Sequence, residues 1–415
     1  IIDPVVRLWG TYYGGKSYSY REDGHSCATD ASGNVFLSGE TYSTTGISTT
    51  GAHQTSKGKG GRYTYTDAFL VKFNSSGVRQ WGTYYGGSGA ETGYSCATDS
   101  SGNIYMAGAT NSRTGISTTG AHKTSIGTSR DAFLVKFNSS GARQWGTYYG
   151  GGSGWPLTTY GYSCATDVGG NIYMTGGTES YINQTIATVG AHQGSLSGRA
   201  DAFLVKFNSS GVRQWGTYYG GKGGELGYSC TTDASGNVYI VGYVTSGSTT
   251  GIATTGAQQT KYGGDTYDGF LVKFNSSGVR QWGTYYGGTG DDYGYSCATD
   301  NSGNVYLSGY TSSTIGIATT VAHDTSLSGG RGAFLVKFNS SGVRQWGTYY
   351  GGTGNDFSFG CATDASGNVY LAGTTQSTTG IATKGAHQTT IGNGSSADAF
   401  LVKFNSSGVR QWGTY

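Results

Sequence analysis

The residue types that could do chemistry in this chain are carboxylates, histidines and cysteines, and each recurs at fixed intervals. An acid stands three residues before the aromatic position of motifs such as ETGYSCATD: Glu22, Glu91, Glu225, Asp292 and Asp356, with Thr159 in the remaining copy. In a Gly-rich segment such a carboxylate is expected to accept N–H bonds from its own loop. The alternative chemistry is calcium, which takes clustered oxygens, and Asp291 with Asp292 is the pair best suited to hold it. No other cofactor is expected.

Histidine recurs in GAHQT and its variants as His53, His122, His192, His323 and His387, with Gln258 in the sixth place. Copies a whole unit apart cannot share a metal at about 2.0–2.1 Å, and the glutamine fits a hydrogen-bonding role. Cys27, Cys96, Cys164, Cys230, Cys297 and Cys361 also share one position. Equivalent atoms of neighbouring units do not approach within the roughly 4.4–6.8 Å between Cα atoms that a disulfide needs. Six free cysteines, buried as small hydrophobes, are expected.

Catalysis needs an asymmetric set of base, acid or nucleophile, and charge stabiliser. Here nearly every polar residue comes in five or six copies. Only Glu22, Asp23 and His25 form an odd trio, and no Gly-x-Ser-x-Gly, His-Glu-x-x-His or phosphate loop is present. A non-enzymatic protein is expected. Asn74, Asn138, Asn208, Asn275, Asn339 and Asn405 each open Asn-Ser-Ser, and Asn183 and Asn393 also match the glycosylation pattern. Turn chemistry explains Asn-Ser-Ser-Gly without sugar, while all eight remain candidates for a glycan.

The elements that position these residues follow from composition. Glycine is abundant at 77 residues, proline almost absent at 2, and only 12% of residues are charged. Tyr, Thr, Ser and Gly favour strands and turns over helices. The net charge of +3 is spread singly, so a nucleic-acid partner is not expected. No run reaches the roughly 18 apolar residues that span a bilayer, so membrane insertion is not expected either. A chain that opens on Ile1 with such a surface reads as a processed chain or excised fragment, extracellular or at the cell surface.

The phrase RLWGTYYGG at 7–15 returns around Trp81, Trp145, Trp215, Trp282, Trp346 and Trp412, at steps of 64 to 72 residues. Between copies lie strand-like runs of the types GYSCATD, NIYMAGAT and DAFLVKFN, joined by Ser-Gly turns. Four antiparallel strands repeated six times give an all-β, six-bladed β-propeller, one domain over 1–415. Its units fall near 9–80, 81–144, 145–214, 215–281, 282–345 and 346–411. The segment GGTGDDYGYSCATDNSGNVYLSGYTSSTIGIATT…AFLVKFNSSGVRQWGTYYGG (287–352) resembles the SBBP-type bacterial beta-propeller repeat family, and the resemblance runs through the chain. It implies a propeller, often in secreted or surface proteins, and no activity. This chain departs from the family in its cysteines, in Asn-Ser-Ser-Gly where Asn-Pro-Ser-Gly is usual, and in having six blades rather than seven.

The Trp-Gly-Thr-Tyr strand occurs seven times and the other three strands six times. The surplus copy could fray, pack as a fifth strand or belong to a longer chain; it could mean that the blades are not six. It could also be donated to the next molecule, which makes Trp9, Tyr12, Trp412 and Tyr415 the exchange candidates and self-association the expected partner relation. A structural or adhesive propeller, assembling head to tail into a filament or layer, is the expected function. A carbohydrate- or protein-binding propeller is the alternative. It would use the long connections after the second strands, with Trp155-Pro156 and the segment 62–66 as aromatic features.

Overall fold

A computed structural model describes residues 7–15, 22–58, 65–127, 129–151, 158–179, 186–392 and 396–415. The protein is an all-β, six-bladed β-propeller in which each blade is a four-stranded antiparallel sheet with its strands in sequence order. Blade 1 comprises β1 (Asp23–Thr29), β2 (Val35–Thr41), β3 (Asp67–Phe73) and β4 (Arg79–Tyr85). Blades 2 to 6 repeat that plan over 91–149, 159–219, 225–286, 292–350 and 356–414. Two compact units divide the chain, one of residues 8–196 and 200–218, the other of 219–415 with 197–199 and Arg7.

Local sequence accounts for each hairpin. In the β1–β2 turn Asp30 Oδ1 accepts the N–H groups of Ser32 and Asn34, and Gly33 takes a φ of 74° that a side chain would oppose. The β3–β4 turn repeats the device with Asn74 Oδ1 and Gly77. Alternation then sends the paired tyrosines of each fourth strand to opposite faces. Tyr148 donates to Ser112 O within its own blade, whereas Tyr149 donates to Ile186 O of the next.

Sequence units and blades are offset. A unit that starts at tryptophan begins on the last strand of one sheet and ends at the start of the last strand of the next. Within each compact unit this places the joint between blades inside the repeat. The joint is standard: Trp81 donates to Ser139 O, Trp145 to Ser209 O, Trp282 to Ser340 O and Trp346 to Ser406 O, all at 3.0–3.1 Å. The turn glycine of the receiving blade lies beneath each indole; a Cβ on Gly141 would stand 2.9 Å from Trp81. Tyr85, Tyr286 and Tyr350 add bonds to the carbonyls of Ile116, Ile317 and Ile381 at 2.6–2.8 Å.

First strands are tied in turn. Ser26 Oγ accepts Cys96 N–H, Ser95 Oγ accepts Cys164 N–H, and Ser229 Oγ accepts Cys297 N–H. Phe133, Val135, Phe137, Ile104, Met106 and Tyr85 form one of the cores between blades, all but dry.

Candidate functional site

The joints gather most of the residues singled out in the sequence. The recurring acids are fully buried at Glu91, Glu225, Asp292 and Asp356. Glu91 accepts Gly87 N–H at 3.0 Å and the Thr110 hydroxyl at 2.6 Å, which is the loop-capping role expected of it. Thr110 and Ser112 belong to the same blade as Glu91. Asp67, at the start of β3 in the preceding blade, comes up on the other side of Gly86. A Cβ on Gly86 would lie 2.5 Å from Glu91 Oε2 and 2.8 Å from Asp67 Oδ2. Burial pushes Asp67 up to about 7 and raises Glu91, since each carboxylate loses water and faces the other.

The same pairing joins Asp268 to Asp292 across Gly287, and burial raises them to about 7 and about 6. The partner acid from the preceding third strand carried no signal in the sequence beyond its place at the head of DAFLVKF. Asp291 is turned away from this pair: its Oδ1 accepts the N–H groups of Thr266 and Tyr267. Among the described residues no group of three or more His, Cys, Asp or Glu side chains is placed to hold a metal.

At the joint between blades 2 and 3 the pattern changes. The acid is replaced by Thr159, whose hydroxyl meets that of Thr178 at 2.9 Å. The loop position held elsewhere by Gln54 or Gln259 is Lys123, whose Nζ lies 2.8 Å from Asp131 Oδ2, 3.2 Å from Gly150 O and 3.1 Å from Gly151 O. One acid is thus paired with a cation in the place where two acids meet at Gly86 and Gly287, while the joint of blades 5 and 6 has Gly332 in place of the first acid.

The histidines are wedges. His53 packs on Tyr85 and on Phe137 of the next blade, and His122 on Tyr149 and Phe207. Burial holds both at about 4, so they are neutral at ordinary pH. His323 repeats the contact with Tyr350 and Phe404. The odd trio separates: Glu22 accepts the hydroxyls of Thr41 and Ser43, while His25 Nε2 lies 4.0 Å from Glu40 and its ring 5.6 Å from Tyr94.

His25 belongs to a feature that sequence reasoning missed. In every blade the first strand carries a bulge between the Gly (or Ser) and Ser (or Gly) that flank the aromatic position, as at Gly93/Ser95. The residues skipped in the strand register are His25, Tyr94, Tyr162, Tyr228, Tyr295 and Phe359. A bulge re-aims its side chain, and here the aimed rings meet: Tyr94 and Tyr162 at 5.2 Å, Tyr228 and Tyr295 at 4.8 Å, Tyr295 and Phe359 at 5.4 Å. The signal was present as an aromatic breaking the alternation in GYSCATD.

All six cysteines are free. Cys96, Cys164, Cys230 and Cys297 are buried as expected and Cys361 is half-buried, but Cys27 is exposed, a correction. Cys96, Cys164 and Cys297 each lie against the preceding blade's first strand, and among the described residues no strand precedes β1.

The long connections, expected to form the rim of a binding face, are ordered against their own sheets. They lie along the free edge of their own fourth strand: Thr49 N–H bonds Gly82 O at 2.9 Å and Tyr84 N–H bonds Gln54 O at 3.2 Å, with the same pair at Thr118–Gly146 and Tyr148–Lys123. The connection covers an edge that would otherwise present bare backbone groups. Trp155-Pro156 and residues 62–64 lie outside the described residues, as do Asn183 and Asn393; Tyr65 is exposed. The six Asn-Ser-Ser asparagines commit Oδ1 to their turn, as Asn138 does to Ser140 and Ala142 N–H, which leaves Nδ2 outside that bonding.

The surplus phrase takes a defined place. Trp9 donates to Ser75 O at 3.0 Å and Tyr13 to Ile47 O at 2.7 Å, so residues 7–15 lie on blade 1 as a fourth strand lies on the blade after it. No strand of the described residues pairs with them. Tyr12 is wholly exposed, whereas its counterpart Tyr84 is 0% exposed against its own sheet. At the other end Trp412 and Tyr415 sit within blade 6: Trp412 packs on Tyr370, and Tyr415 donates to Ser377 O at 2.9 Å.

Fold and joint together define a β-propeller repeat protein. The SBBP beta-propeller repeat model matches residues 80–114, 281–316 and 345–380, so the chain carries that repeat at three places. Each match runs from a fourth strand through the second strand of the next blade, and the carbonyls that receive its tryptophan and tyrosine lie just beyond it. An uncharacterized WD repeat-containing protein of Acanthamoeba polyphaga mimivirus is 23% identical over 336 residues, covering 68% of this chain and 24% of that protein. This chain therefore spans about a quarter of that relative's length. Among solved structures, the WD40 domain of Neurospora crassa Pan2 is similar at 7% identity and a TM-score of 0.41, over 84% of this chain and 75% of that one. A gluconolactonase of Xanthomonas campestris is similar at 10% identity and a TM-score of 0.34, over 84% and 82%.

Proposed function

We propose that the protein is a non-enzymatic structural or adhesive propeller, extracellular or at the cell surface, that assembles head to tail by strand donation. One observation carries the reading: residues 7–15 have the joint of a fourth strand and lack the sheet of one. Among the described residues no strand pairs with them, and Tyr12 is exposed where Tyr84 is covered by its sheet. The sequence that pairs with a Trp-Gly-Thr-Tyr strand in every blade is Phe-Leu-Val-Lys-Phe, and blade 6 offers it as Phe400–Phe404. In the proposed assembly, residues 7–15 of one copy replace 410–415 of another as the fourth strand of blade 6. Blade 1 of the first then meets blade 6 of the second through the joint already used inside the chain.

Surface chemistry supports this reading. Leu401 is 37% exposed and Phe359 51%, on blade 6, while Leu70, Leu134, Leu271 and Leu335, the counterparts of Leu401 in blades 1, 2, 4 and 5, are 0% exposed. Cys27 is exposed on the first strand of blade 1. The six turn asparagines are on this reading available to glycans along the assembly. Sedimentation velocity of the chain and of a form lacking residues 7–15 tests it. Concentration-dependent growth in the first and a single slow species in the second is expected; identical profiles would refute donation.

A second reading, carbohydrate binding, is favoured by grooves at the joints. One of 690 Å³ is lined by Trp145, Gln144, Thr118, His122, Lys136 and Ser209, and others of 390 and 430 Å³ repeat it at Trp81 and Trp282. Saturable hits on a glycan array, lost in Trp145→Ala, would establish it.

A further inference from the structure

We infer that the joint between blades 4 and 5 is a divalent-cation site built on Asp268 and Asp292, with calcium as the fitting ion. Both side chains are 0% exposed, and their Oδ1 atoms meet no donor in hydrogen-bonding geometry, although Thr311 and the Gly264 amide lie beside them. Buried polar oxygens are nearly always partnered, so an orphan on each carboxylate of the pair, Asp268 Oδ1 being the one turned toward Asp292, points to a missing ligand.

The surroundings supply further oxygens. Around the place where a Cβ on Gly264 would stand, Tyr267 O lies at 2.5 Å, Asp268 Oδ1 at 2.6 Å and Gly290 O at 3.0 Å. Asp268 Oδ1 is also 2.6 Å from the Cβ place of Gly287, with Asp292 on its other side. Glycine at both positions keeps this cradle open. The hydroxyl of Tyr262, also without a partner, stands in the combined field of Asp268, Asp291, Asp265 and Asp292. The free acceptors are carbonyl and carboxylate oxygens, which suit a hard cation, while the Gln259 and Gly263 N–H groups bond the other oxygen of Asp268.

The chain carries its own control. At the joint between blades 2 and 3, Lys123 places an ammonium on Asp131 and two glycine carbonyls, and there the second acid is absent. At blades 4 and 5 the lysine is Gln259 and the second acid is present as Asp292. Among the described residues neither Asp268 nor Asp292 makes an ion pair with a basic side chain. Where one joint holds an ammonium and one acid, this joint holds an amide and two acids, which leaves a charge for a free cation to balance.

The test uses the full chain stripped with chelator, then titrated with calcium chloride or terbium chloride. Tyr262 and Tyr267 are placed to sensitise terbium emission. One saturable terbium site per chain, competed by calcium, and a rise in Tm of about 3–5 °C with millimolar calcium are expected. Asp268→Asn should cut the emission at least tenfold. Gln259→Lys, which copies the arrangement around Lys123, should fold, lose the emission and melt at the same temperature with or without calcium. Unchanged melting of the wild-type chain in calcium, or emission no greater than that of Gln259→Lys, would overturn the site and leave the two acids sharing a proton.

Discussion

Trp9 donates its indole N–H to the Ser75 carbonyl at 3.0 Å, and Trp81 makes the same bond to Ser139 at 3.1 Å. The two tryptophans belong to segments with different neighbours, one unpaired and one within a sheet, yet the receiving blade treats them alike. The joint is therefore made by side chains of the phrase and does not depend on the sheet behind it. Trp9→Ala should release residues 7–15 while the six sheets persist. Limited proteolysis should then cut ahead of residue 22 much faster, with Tm changed by no more than a few degrees. Unaltered cleavage would mean that Tyr13 alone holds the segment.

Tyr84 and Tyr85 are adjacent and should respond oppositely to loss of the hydroxyl. Tyr85 bonds Ile116 O at 2.6 Å, whereas the Tyr84 hydroxyl is buried without a partner. Tyr85→Phe should cost about 1 kcal/mol and Tyr84→Phe about zero or slightly less than zero. Urea unfolding of the two variants measures the difference.

Lys123 is expected to be essential to its joint in a graded way. Lys123→Met strands the buried Asp131 carboxylate and should cost about 3 kcal/mol. Lys123→Gln places there the amide already used at Gln54 and Gln259, so a loss of about 1 kcal/mol is expected. Equal losses in chemical denaturation would show that volume, not charge, matters at this position.

Thiol labelling should resolve the cysteines by their cover. Cys27 should react in the native state, Cys361 more slowly, and Cys96, Cys164, Cys230 and Cys297 only after unfolding. Burial pushes Cys96 up to about 12 and Cys361 up to about 11, which slows them further below that pH. Mass spectrometry after a timed alkylation reads the order.

Two sets of groups give opposite pH slopes. His53 and His122 are held at about 4 against an unfolded value near 6.5, so the unfolded chain takes protons first and stability falls as pH drops from 6.5 to 4. Asp67 and Asp268 are raised to about 7, so the folded chain keeps protons longer and stability falls as pH climbs from about 4 to 7. His53→Gln, which copies the natural Gln258, should flatten the acid limb by on the order of 1 kcal/mol, allowing for partial exposure. Asp67→Asn should flatten the neutral limb. Urea midpoints at pH 4.5, 6 and 7.5 separate the two.

The sheets were legible because alternation, Ser-Gly turns and the repeated tryptophan are local signals, each tied to one strand or hairpin. The histidines were legible as structural for the same reason: Gln258 stands among them and no pattern of ligands surrounds them. What stayed hidden depends on residues brought together from two blades. Asp268 reads as an ordinary strand start, and only the approach of the next blade sets it against Asp292. The exposure of Cys27 is likewise set by what precedes its blade, and the path of the long connections by an edge some thirty residues further on, as Thr49 bonding Gly82 illustrates.

The offset between repeat and blade bears on how such chains grow. A copied stretch of gene that starts at a fourth strand brings in the outer strand of one sheet and the three strands of another, and with them the whole contact that binds the two. A duplication of this kind therefore arrives with its mating surface already matched at either border. Length could be gained or lost one module at a time with no new recognition to evolve, and near-identity of the modules is what keeps every border compatible.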